Sequence, residues 1–337
     1  MNLLKSIACC LVLFSSCTSW HYTDYGKPFD FLKSEKVYFK NTDDSKVNYS
    51  KLLRINMNDI LKLNIGIAGC GTMGLPMLKV LLKNKIKAIG YDIRPKDNFP
   101  TLKDKFISSK AEFFDKSDII LSAVRDIDQT LELCEGHNGL FKLNSPKTII
   151  ICSTLSPAFL KKFFLQSPDN ITMIEAPMSG APMRAKNASL TFMVGSKVNE
   201  FEKILPILNI LGDKIYHIGE FGSGMSVKVL NNFVASCSVV AVRHVLSEAK
   251  NLNITTNQLI KILNSSSGQT WFSENLENID WAKENYETDN TIAILEKDVR
   301  SFLDGLADSN SSSNDAMINF QNALLNGLKN IPTFPNN

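Results

Sequence analysis

The sequence predicts an α/β fold in which a doubly wound, mainly parallel sheet is followed by an all-α C-terminal region, with one long helix joining them. Short apolar runs rich in β-branched residues alternate with helical patterns from about residue 63 to residue 218. Beyond the first two strands, the predicted strands are 118–124, 148–152, 171–175, 190–195 and 214–218, and the predicted helices between them are 127–134, 157–165 and 199–211. A glycine-rich turn follows the first run, and everything after about residue 220 has a helical or loop-like pattern. The length of 337 residues favours two domains over one.

The composition is that of an ordinary globular protein. Apolar residues make up 44% of the chain and charged residues 21%, and no apolar run reaches the roughly 18 residues of a membrane-spanning helix. The net charge of +3 and the absence of a long basic run argue against nucleic acid as a partner. The seven cysteines and four histidines lack the spacing of a disulfide framework or a zinc site. We therefore expect reduced thiols and no bound metal.

A dinucleotide fingerprint opens the predicted sheet. The run from Leu63 to Ala68 leads into G-C-G-T-M-G at 69–74, and apolar residues then recur at helical spacing. The first glycine permits a tight turn, the second lets the backbone approach a pyrophosphate, and the third lets helix and strand pack closely. The helix N-terminus supplies N–H donors for the phosphates. The candidate cofactor-binding residues of this turn are Gly69, Gly71, Thr72, Met73 and Gly74.

A second strand ends at Asp92, which completes the pattern of a Rossmann domain, predicted to span residues 61–220. Asp92 can accept hydrogen bonds from the adenosine ribose hydroxyls and would repel a 2′-phosphate, which favours NAD over NADP. Arg94 is close enough in sequence to receive such a phosphate, so NADP stays possible. We count Asp92 and Arg94 among the cofactor-binding candidates.

Residues 1–60 are predicted to be a leader outside the fold, disordered or signal-like. An apolar run from Ile7 to Phe14 precedes Cys17, as in a secretory or lipoprotein signal. The other interpretation is that translation starts at Met57. We favour it, and a cytoplasmic location, because a nicotinamide cofactor is abundant only in the cytosol or an organelle matrix. Export or a lipid anchor through residues 1–17 is the alternative, and contact with a membrane is expected only in that case.

The pattern changes at about residue 220, and residues 221–335 are predicted to form an all-helical domain for substrate binding and dimerisation. The segment from Met225 to Lys250 lacks Gly and Pro and is mostly apolar, which predicts a long helix buried between the domains. Lys228 and Asn232 are one turn apart on the same face. Burial lowers the pKa of a lysine towards the range useful for proton transfer. A lysine that reaches solvent along an apolar face is the alternative.

Four stretches, in order and spacing, resemble the β-hydroxyacid dehydrogenase family, which includes 3-hydroxyisobutyrate dehydrogenase. They are the fingerprint, E-A-P-M-S-G at 175–180, G-S-G-M-S-V-K-V-L-N-N at 222–232, and the pair Lys297-Asp298. The resemblance covers about residues 63–330. It implies an NAD(P)-dependent oxidoreductase that transfers hydride between nicotinamide and a small 3-hydroxy acid or its semialdehyde, of the 3-hydroxyisobutyrate, tartronate semialdehyde or succinic semialdehyde type. We expect a small carboxylate substrate and a homo-oligomer, either dimer or tetramer.

The resemblance also implies the roles of individual residues. Lys228 is the general acid/base that exchanges a proton with the substrate hydroxyl. Asn232 holds and orients the substrate oxygen, with Asn231 behind it, and the substrate carboxylate binds at Ser179 and Gly180. The remaining implied contacts are with the nicotinamide end of the cofactor, and they involve Ser153, Thr154 and Lys297.

Several positions depart from the family pattern. Ala181, Arg184 and Ala188 stand where the family usually has glycine, and Arg125 follows Val124 where it usually has proline. Replacing a glycine that needs a positive φ alters the shape of a loop. Arg125 and Arg184 are either anion-binding residues or solvated loop cations, and we favour the second. The alternative functions are an imine-reductase-like enzyme, which usually lacks the lysine, and a non-catalytic cofactor-binding homologue.

Overall fold

The computed structural model describes residues 60–307 and 315–335. The predicted leader lies outside the described residues except for its last position. That residue, Ile60, is buried in the core beside the first strand, so the fold includes it and the predicted boundary is wrong by at least one residue.

Within the described ranges, one mixed, mainly parallel sheet of eight strands forms the first part of the fold. The strand order is β2-β1-β3-β4-β5-β7-β6, with β8 paired to β7. Pairing is parallel from β2 to β5 and between β7 and β8, whereas β7 runs antiparallel to β5 and β6. The strands are β1 (Ile65–Ala68), β2 (Ala88–Tyr91), β3 (Ile119–Ser122), β4 (Lys147–Ile151), β5 (Ile171–Glu175), β6 (Met178–Ser179), β7 (Leu190–Gly195) and β8 (Gly212–Gly219).

Helices alternate with these strands and cover both faces of the sheet. Three of them are capped at the N-terminus by a side-chain oxygen that accepts a hydrogen bond from a backbone N–H of the first turn. The capping residues are Ser109, Asp126 and Ser156. The sequence patterns predicted all of these helices except the short α2 and α5. The helices are α1 (Gly74–Lys83), α2 (Lys110–Lys116), α3 (Ile127–Cys134), α4 (Pro157–Leu165), α5 (Ala181–Lys186) and α6 (Val198–Leu211).

After β8 the described chain is helical, which confirms the predicted fold class. The helices are α7 (Ser223–Ala249), α8 (Thr256–Leu263), α9 (Trp271–Glu274), α10 (Thr291–Ala307) and α11 (Asp315–Lys329). The described residues all fall in a single compact unit, so the division into two domains near residue 220 stays a prediction.

Helix α7 links the two regions. Met225 in its first turn lies in the core between the sheet and α4, whereas Val229 and Phe233 lie in the core of the helical region. By length and composition, Ser223–Leu252 is apolar enough to cross a membrane, with a mean hydropathy of 1.5. Its inner face packs on both regions, which is the environment of a core helix. The predicted burial of this helix between the domains is only partial, because 44% of its most apolar window is buried.

Candidate active site

A cleft of about 1550 Å³ opens at the carboxyl ends of β1, β3 and β4, between the sheet and helices α7 and α10. Parallel sheets bind their ligands at this edge, because the loops that follow the strands converge there. The cleft brings together sequence-predicted residues from both regions. Its lining includes Gly69, Gly71, Thr72, Met73, Asp92, Arg94, Ser153, Thr154, Lys228, Asn232 and Lys297.

The glycine-rich turn has a geometry that fits a dinucleotide. Gly69 has a φ of +85°, and a Cβ there would lie 2.8 Å from the backbone of Ala123. A Cβ on Gly71 would meet nothing within 4 Å, so this backbone faces open space in the cleft. Gly74 packs on Gly69, whose carbonyl oxygen would be 2.0 Å from an added Cβ. No side chain caps the first turn of α1, so the helix N-terminus is free of a competing acceptor.

Asp92, at the end of β2, is bound on both carboxylate oxygens. Oδ2 accepts the backbone N–H of Cys70 at 2.8 Å, and Arg94 Nε donates to Oδ1 at 2.8 Å. Burial raises the pKa of Asp92, but the hydrogen bonds and charge of Arg94 outweigh it and hold that pKa below its ordinary value. Asp92 is therefore an ionised, oriented acceptor beside the turn, and Arg94 is partly neutralised by it.

A continuous hydrogen-bonded network crosses the cleft from α7 to β4. Lys228 Nζ donates to Asn232 Oδ1 at 2.8 Å, and Asn232 Nδ2 donates to Asp298 Oδ2 at 2.6 Å. Lys297 Nζ donates to Asp298 Oδ1 at 2.7 Å and to the carbonyl oxygen of Thr154 at 2.6 Å. Helical periodicity places Lys228 and Asn232 on one face of α7, and helix packing brings Asp298 of α10 against them. The network therefore has two ammonium groups with a carboxylate between them.

Burial sets the protonation behaviour of Lys228, which is only 6% exposed. Desolvation lowers its pKa to about 8; Asp298 raises that pKa and Lys297 lowers it further. A lysine with a pKa of about 8 exchanges between amine and ammonium near neutral pH, which a general acid/base requires. Sequence reasoning treated Asp298 only as the neighbour of Lys297. Its bond to Asn232 depends on the packing of two helices that are distant in sequence.

The substrate segment is placed differently from the other predicted residues. Ser179 lies in β6, paired with Thr191 of β7, and Gly180 has a φ of +136° at the start of α5. Neither Ser179 nor Gly180 is among the residues that line the cleft, and here Met178, Pro182 and Lys186 line it instead. The predicted carboxylate contact of Ser179 and Gly180 stays a prediction. Asn231 and Gly74 also lie outside the lining, and Asn231 Nδ2 donates to Asn232 Oδ1 at 3.1 Å.

Two of the substituted glycine positions keep a left-handed backbone. Ala181 and Ala188 both have a φ of +55°, a region that costs an alanine roughly 1–2 kcal/mol. Arg184 keeps an ordinary helical position in α5 and pairs with Asp213 of β8 at 3.1 Å. Two alanines of this chain therefore hold a backbone conformation that glycine adopts without strain.

Glu175 is a buried carboxylate that the sequence analysis did not single out. It ends β5, and its Oε1 accepts the N–H groups of Gly222 and Gly224 at 2.8 and 2.7 Å. Burial raises its pKa to about 7, although these hydrogen bonds lower it. A Cβ on Gly195 of β7 would lie 1.9 Å from Oε1. The available signal was three glycines, from β7 and from the start of α7, but only the fold shows that they converge on this acid.

Family models match two parts of this chain. Residues 64–219 match the family model described as the NAD binding domain of 6-phosphogluconate dehydrogenase. Residues 222–321 match the model described as NAD-binding of NADP-dependent 3-hydroxyisobutyrate dehydrogenase. A probable mitochondrial 3-hydroxyisobutyrate dehydrogenase of Dictyostelium discoideum is 32% identical over 219 residues, which cover 62% of this chain and 67% of that protein. The chain belongs to the β-hydroxyacid dehydrogenase family.

This family member is an oxidoreductase homologue that carries an NAD-binding domain. It is 33% identical over 221 residues to the mitochondrial 3-hydroxyisobutyrate dehydrogenase of Rattus norvegicus, covering 63% of this chain. The match spans 65% of the rat protein, just under two thirds of its length. A solved 3-hydroxyisobutyrate dehydrogenase from Salmonella typhimurium has the same fold, with a TM-score of 0.65, 22% identity, and coverage of 77% of this chain and 94% of that one.

Proposed function

We propose that this protein is an NAD-dependent dehydrogenase that transfers hydride between nicotinamide and a small 3-hydroxy acid or its semialdehyde. The observation that carries the proposal is the buried network of Lys228, Asn232 and Asp298 in the lining of the cofactor cleft. An imine-reductase-like enzyme usually lacks this lysine, and a non-catalytic homologue would not need a buried amine whose pKa lies near 8.

The residues of the cleft divide into a cofactor side and a proton-transfer side. A nicotinamide held in this cleft would accept the hydride in oxidation and donate it in reduction. Gly71 and the N-terminus of α1 would hold the pyrophosphate, and Asp92 the adenosine ribose. On the other side, the Lys228 amine takes the proton of the substrate hydroxyl in oxidation and returns it in reduction. Asn232 keeps its amide oxygen towards Lys228 because Asp298 occupies its amide nitrogen.

The cofactor preference follows from the state of Asp92. This carboxyl group stays ionised, because Arg94 holds its pKa below the ordinary value, and it would repel a 2′-phosphate. Arg94 already donates to both oxygens of Asp92, so binding a 2′-phosphate would compete with that ion pair. We therefore propose NAD as the preferred cofactor and NADP as a weaker one.

The test of the proposed function is the substitution Lys228→Met, which keeps the length of the side chain and removes the amine. Proton transfer of this kind contributes about 10²–10⁴-fold, so kcat for hydroxy acid oxidation should fall by that factor. The oxidation profile of kcat/KM should rise with pH and level off above about 8, because only the unprotonated amine acts as a base. In the Lys228→Met variant this limb should be absent.

The control measurement is the Kd of NADH, followed by fluorescence titration. It should be unchanged in Lys228→Met, because the glycine-rich turn lies on the sheet side of the cleft. Lys228→Arg should not restore turnover, since a guanidinium does not release its proton near neutral pH. Near-normal turnover in Lys228→Met, on whichever 3-hydroxy acid or semialdehyde the wild-type protein accepts, would refute the proposed role.

A further inference from the structure

Arg125 and Arg184 replace residues usual in the family, and the structure gives them different environments. Arg184 lies outside the cleft lining, and Asp213 neutralises it at 3.1 Å. Arg125 lines the cleft, and its side chain is exposed. Among the described residues it has no carboxylate partner within 4.0 Å; its guanidinium makes one long hydrogen bond, from Nη2 to the carbonyl oxygen of Thr288 at 3.3 Å. Within the described ranges, Arg184 is a helix cation paired with a carboxylate, whereas Arg125 is a cation without a carboxylate partner.

The backbone that carries Arg125 is fixed beside the glycine-rich turn. A Cβ on Gly69 would lie 2.8 Å from the Val124 nitrogen, so the residue before Arg125 touches the turn. Ser153 Oγ donates to the Val124 carbonyl oxygen at 2.6 Å, and the Arg125 N–H donates to Gln129 Oε1 at 2.9 Å. The backbone at Arg125 is therefore held by hydrogen bonds. It follows directly after a residue that contacts the glycine-rich turn, where the phosphates of a dinucleotide would bind.

Two other cations of the cleft are already paired with carboxylates. Arg94 pairs with Asp92 at 2.8 Å, and Lys297 with Asp298 at 2.7 Å. A guanidinium presents five donors in a planar fork that matches two oxygens of a phosphate, and it stays charged at every physiological pH. Arg125 uses one side-chain donor, weakly, which leaves the fork available for an oxyanion.

We propose that Arg125 binds a pyrophosphate oxygen of the dinucleotide and so determines cofactor affinity in this protein, where proline is usual in the family. The inference rests on the proposed function, because it takes the ligand of the cleft to be a dinucleotide. Thr288 lies in the loop before α10, on the helical side of the cleft. Since the fork has donors to spare, Arg125 can hold the phosphate and the Thr288 carbonyl together. Bound cofactor would then tie the two sides of the cleft to each other.

The test is the substitution Arg125→Gln, with Arg184→Gln as the matched control, and titration of the full-length protein with three probes. NADH and ADP carry the pyrophosphate, whereas adenosine lacks it. Loss of a charge-assisted bidentate contact should weaken NADH and ADP about tenfold and leave adenosine within about twofold of wild type. Added salt should weaken NADH binding more in the wild type than in Arg125→Gln. Arg184→Gln should match the wild type in every titration.

The titrations distinguish a phosphate-binding Arg125 from a solvated loop cation. If Arg125→Gln binds NADH and ADP as tightly as the wild type does, Arg125 is a solvated loop cation and the inference is wrong. A second result would also overturn the inference: unchanged NADH binding in Arg125→Gln, together with a KM that rises for a dicarboxylic hydroxy acid and not for a monocarboxylic one. Arg125 would then bind a second carboxylate of the substrate. Failure of the wild-type protein itself to bind NADH would refute the proposed function rather than the role of Arg125.

Discussion

At the scale of single residues, the site depends on an amide held at both ends. Asn232 Oδ1 accepts from Lys228 and Asn231, and its Nδ2 donates to Asp298, so its rotamer has one orientation in this network. Asp298 also accepts from Lys297, which places one buried carboxylate between two ammonium groups. Burial alone would lower the pKa of Lys228 further, and the charge of Asp298 opposes this. Asp298 therefore sets both the direction of the amide and the working range of the lysine.

Asp298→Asn should shift the pH profile of oxidation. Removing the carboxylate removes an interaction that raises the pKa of Lys228, so the limb of kcat/KM should move below about 8. We expect kcat to fall as well, because the new amide can donate to Asn232 and no longer fixes its orientation. Asp128→Asn, at an exposed acid of the same cleft, is the control and should leave the limb in place. A limb that stays fixed or moves to higher pH in Asp298→Asn would contradict this role.

At the scale of elements, α7 is positioned by an acid from the sheet. Glu175 at the end of β5 accepts two N–H groups from the first turn of α7, one turn before Lys228. Oε2 of Glu175 is buried, and among the described residues it has no hydrogen-bond partner. A side chain at Gly195 would collide with the Glu175 carboxylate, and one at Gly224 would collide with the backbone of β7. The carboxylate stabilises the free end of the helix, but its burial penalises the charge.

The stability of the fold should therefore depend on pH through Glu175. Its folded pKa, about 7, lies above the ordinary value of 4.5, so protonation favours the folded state. This contribution is fully present below pH 4.5 and is lost as the pH rises through 7. The shift corresponds to roughly 3 kcal/mol between the two limits. Urea unfolding should show less loss of stability from pH 5 to pH 8 in Glu175→Gln than in wild type, with Glu248→Gln, at an exposed acid of α7, as control. Equal losses in all three proteins would be inconsistent with this assignment.

At the scale of the whole molecule, large apolar side chains are exposed on the outer face of α7 and in the first half of α11. On α7, Leu230 is 52% exposed and Val234 is 64% exposed; on α11, Phe320 is 50% exposed and packs on Phe233. A group of large exposed apolar side chains on two packed helices is typical of a protein contact. We propose that it meets the same surface of a second copy, because a symmetric contact buries the apolar side chains of both chains without requiring charged partners.

The mass in solution should therefore be that of an oligomer, and Val234→Glu should reduce it to that of a monomer, because a carboxylate in the centre of an apolar contact is desolvated without a partner. Light scattering coupled to size-exclusion chromatography measures this directly. Val198→Glu, at another exposed valine in the first turn of α6, should keep the mass of the wild type. A wild-type monomer, or an oligomer that survives Val234→Glu, would place the interface elsewhere or exclude it.

Local patterns predicted the larger part of the fold. Helices Ile127–Cys134 and Pro157–Leu165 and strands Ile171–Glu175 and Leu190–Gly195 have the predicted bounds, because their periodicity and their start and stop residues lie within each segment. The sequence analysis missed α2, α5 and β6. The two helices have only one or two turns and the strand has two residues, and such short segments show no hydrophobic periodicity. The pairing of Lys228 with Asn232 was predictable because a helix places residues i and i+4 side by side.

Local sequence patterns were therefore sufficient to predict the order of strands and helices, the glycine-rich turn, and the lysine and asparagine on one helical face. Only the tertiary structure decided which residues from distant segments meet. It brought Asp298 to Asn232, Glu175 to the start of α7 and Val124 against Gly69, paired Arg184 with Asp213 and left Arg125 unpaired in the cleft. It also left one face of α7 exposed, which composition does not reveal. The physical reason is that hydrogen bonds, ion pairs and burial depend on distances in space, and segments far apart in sequence carry no common pattern that fixes those distances.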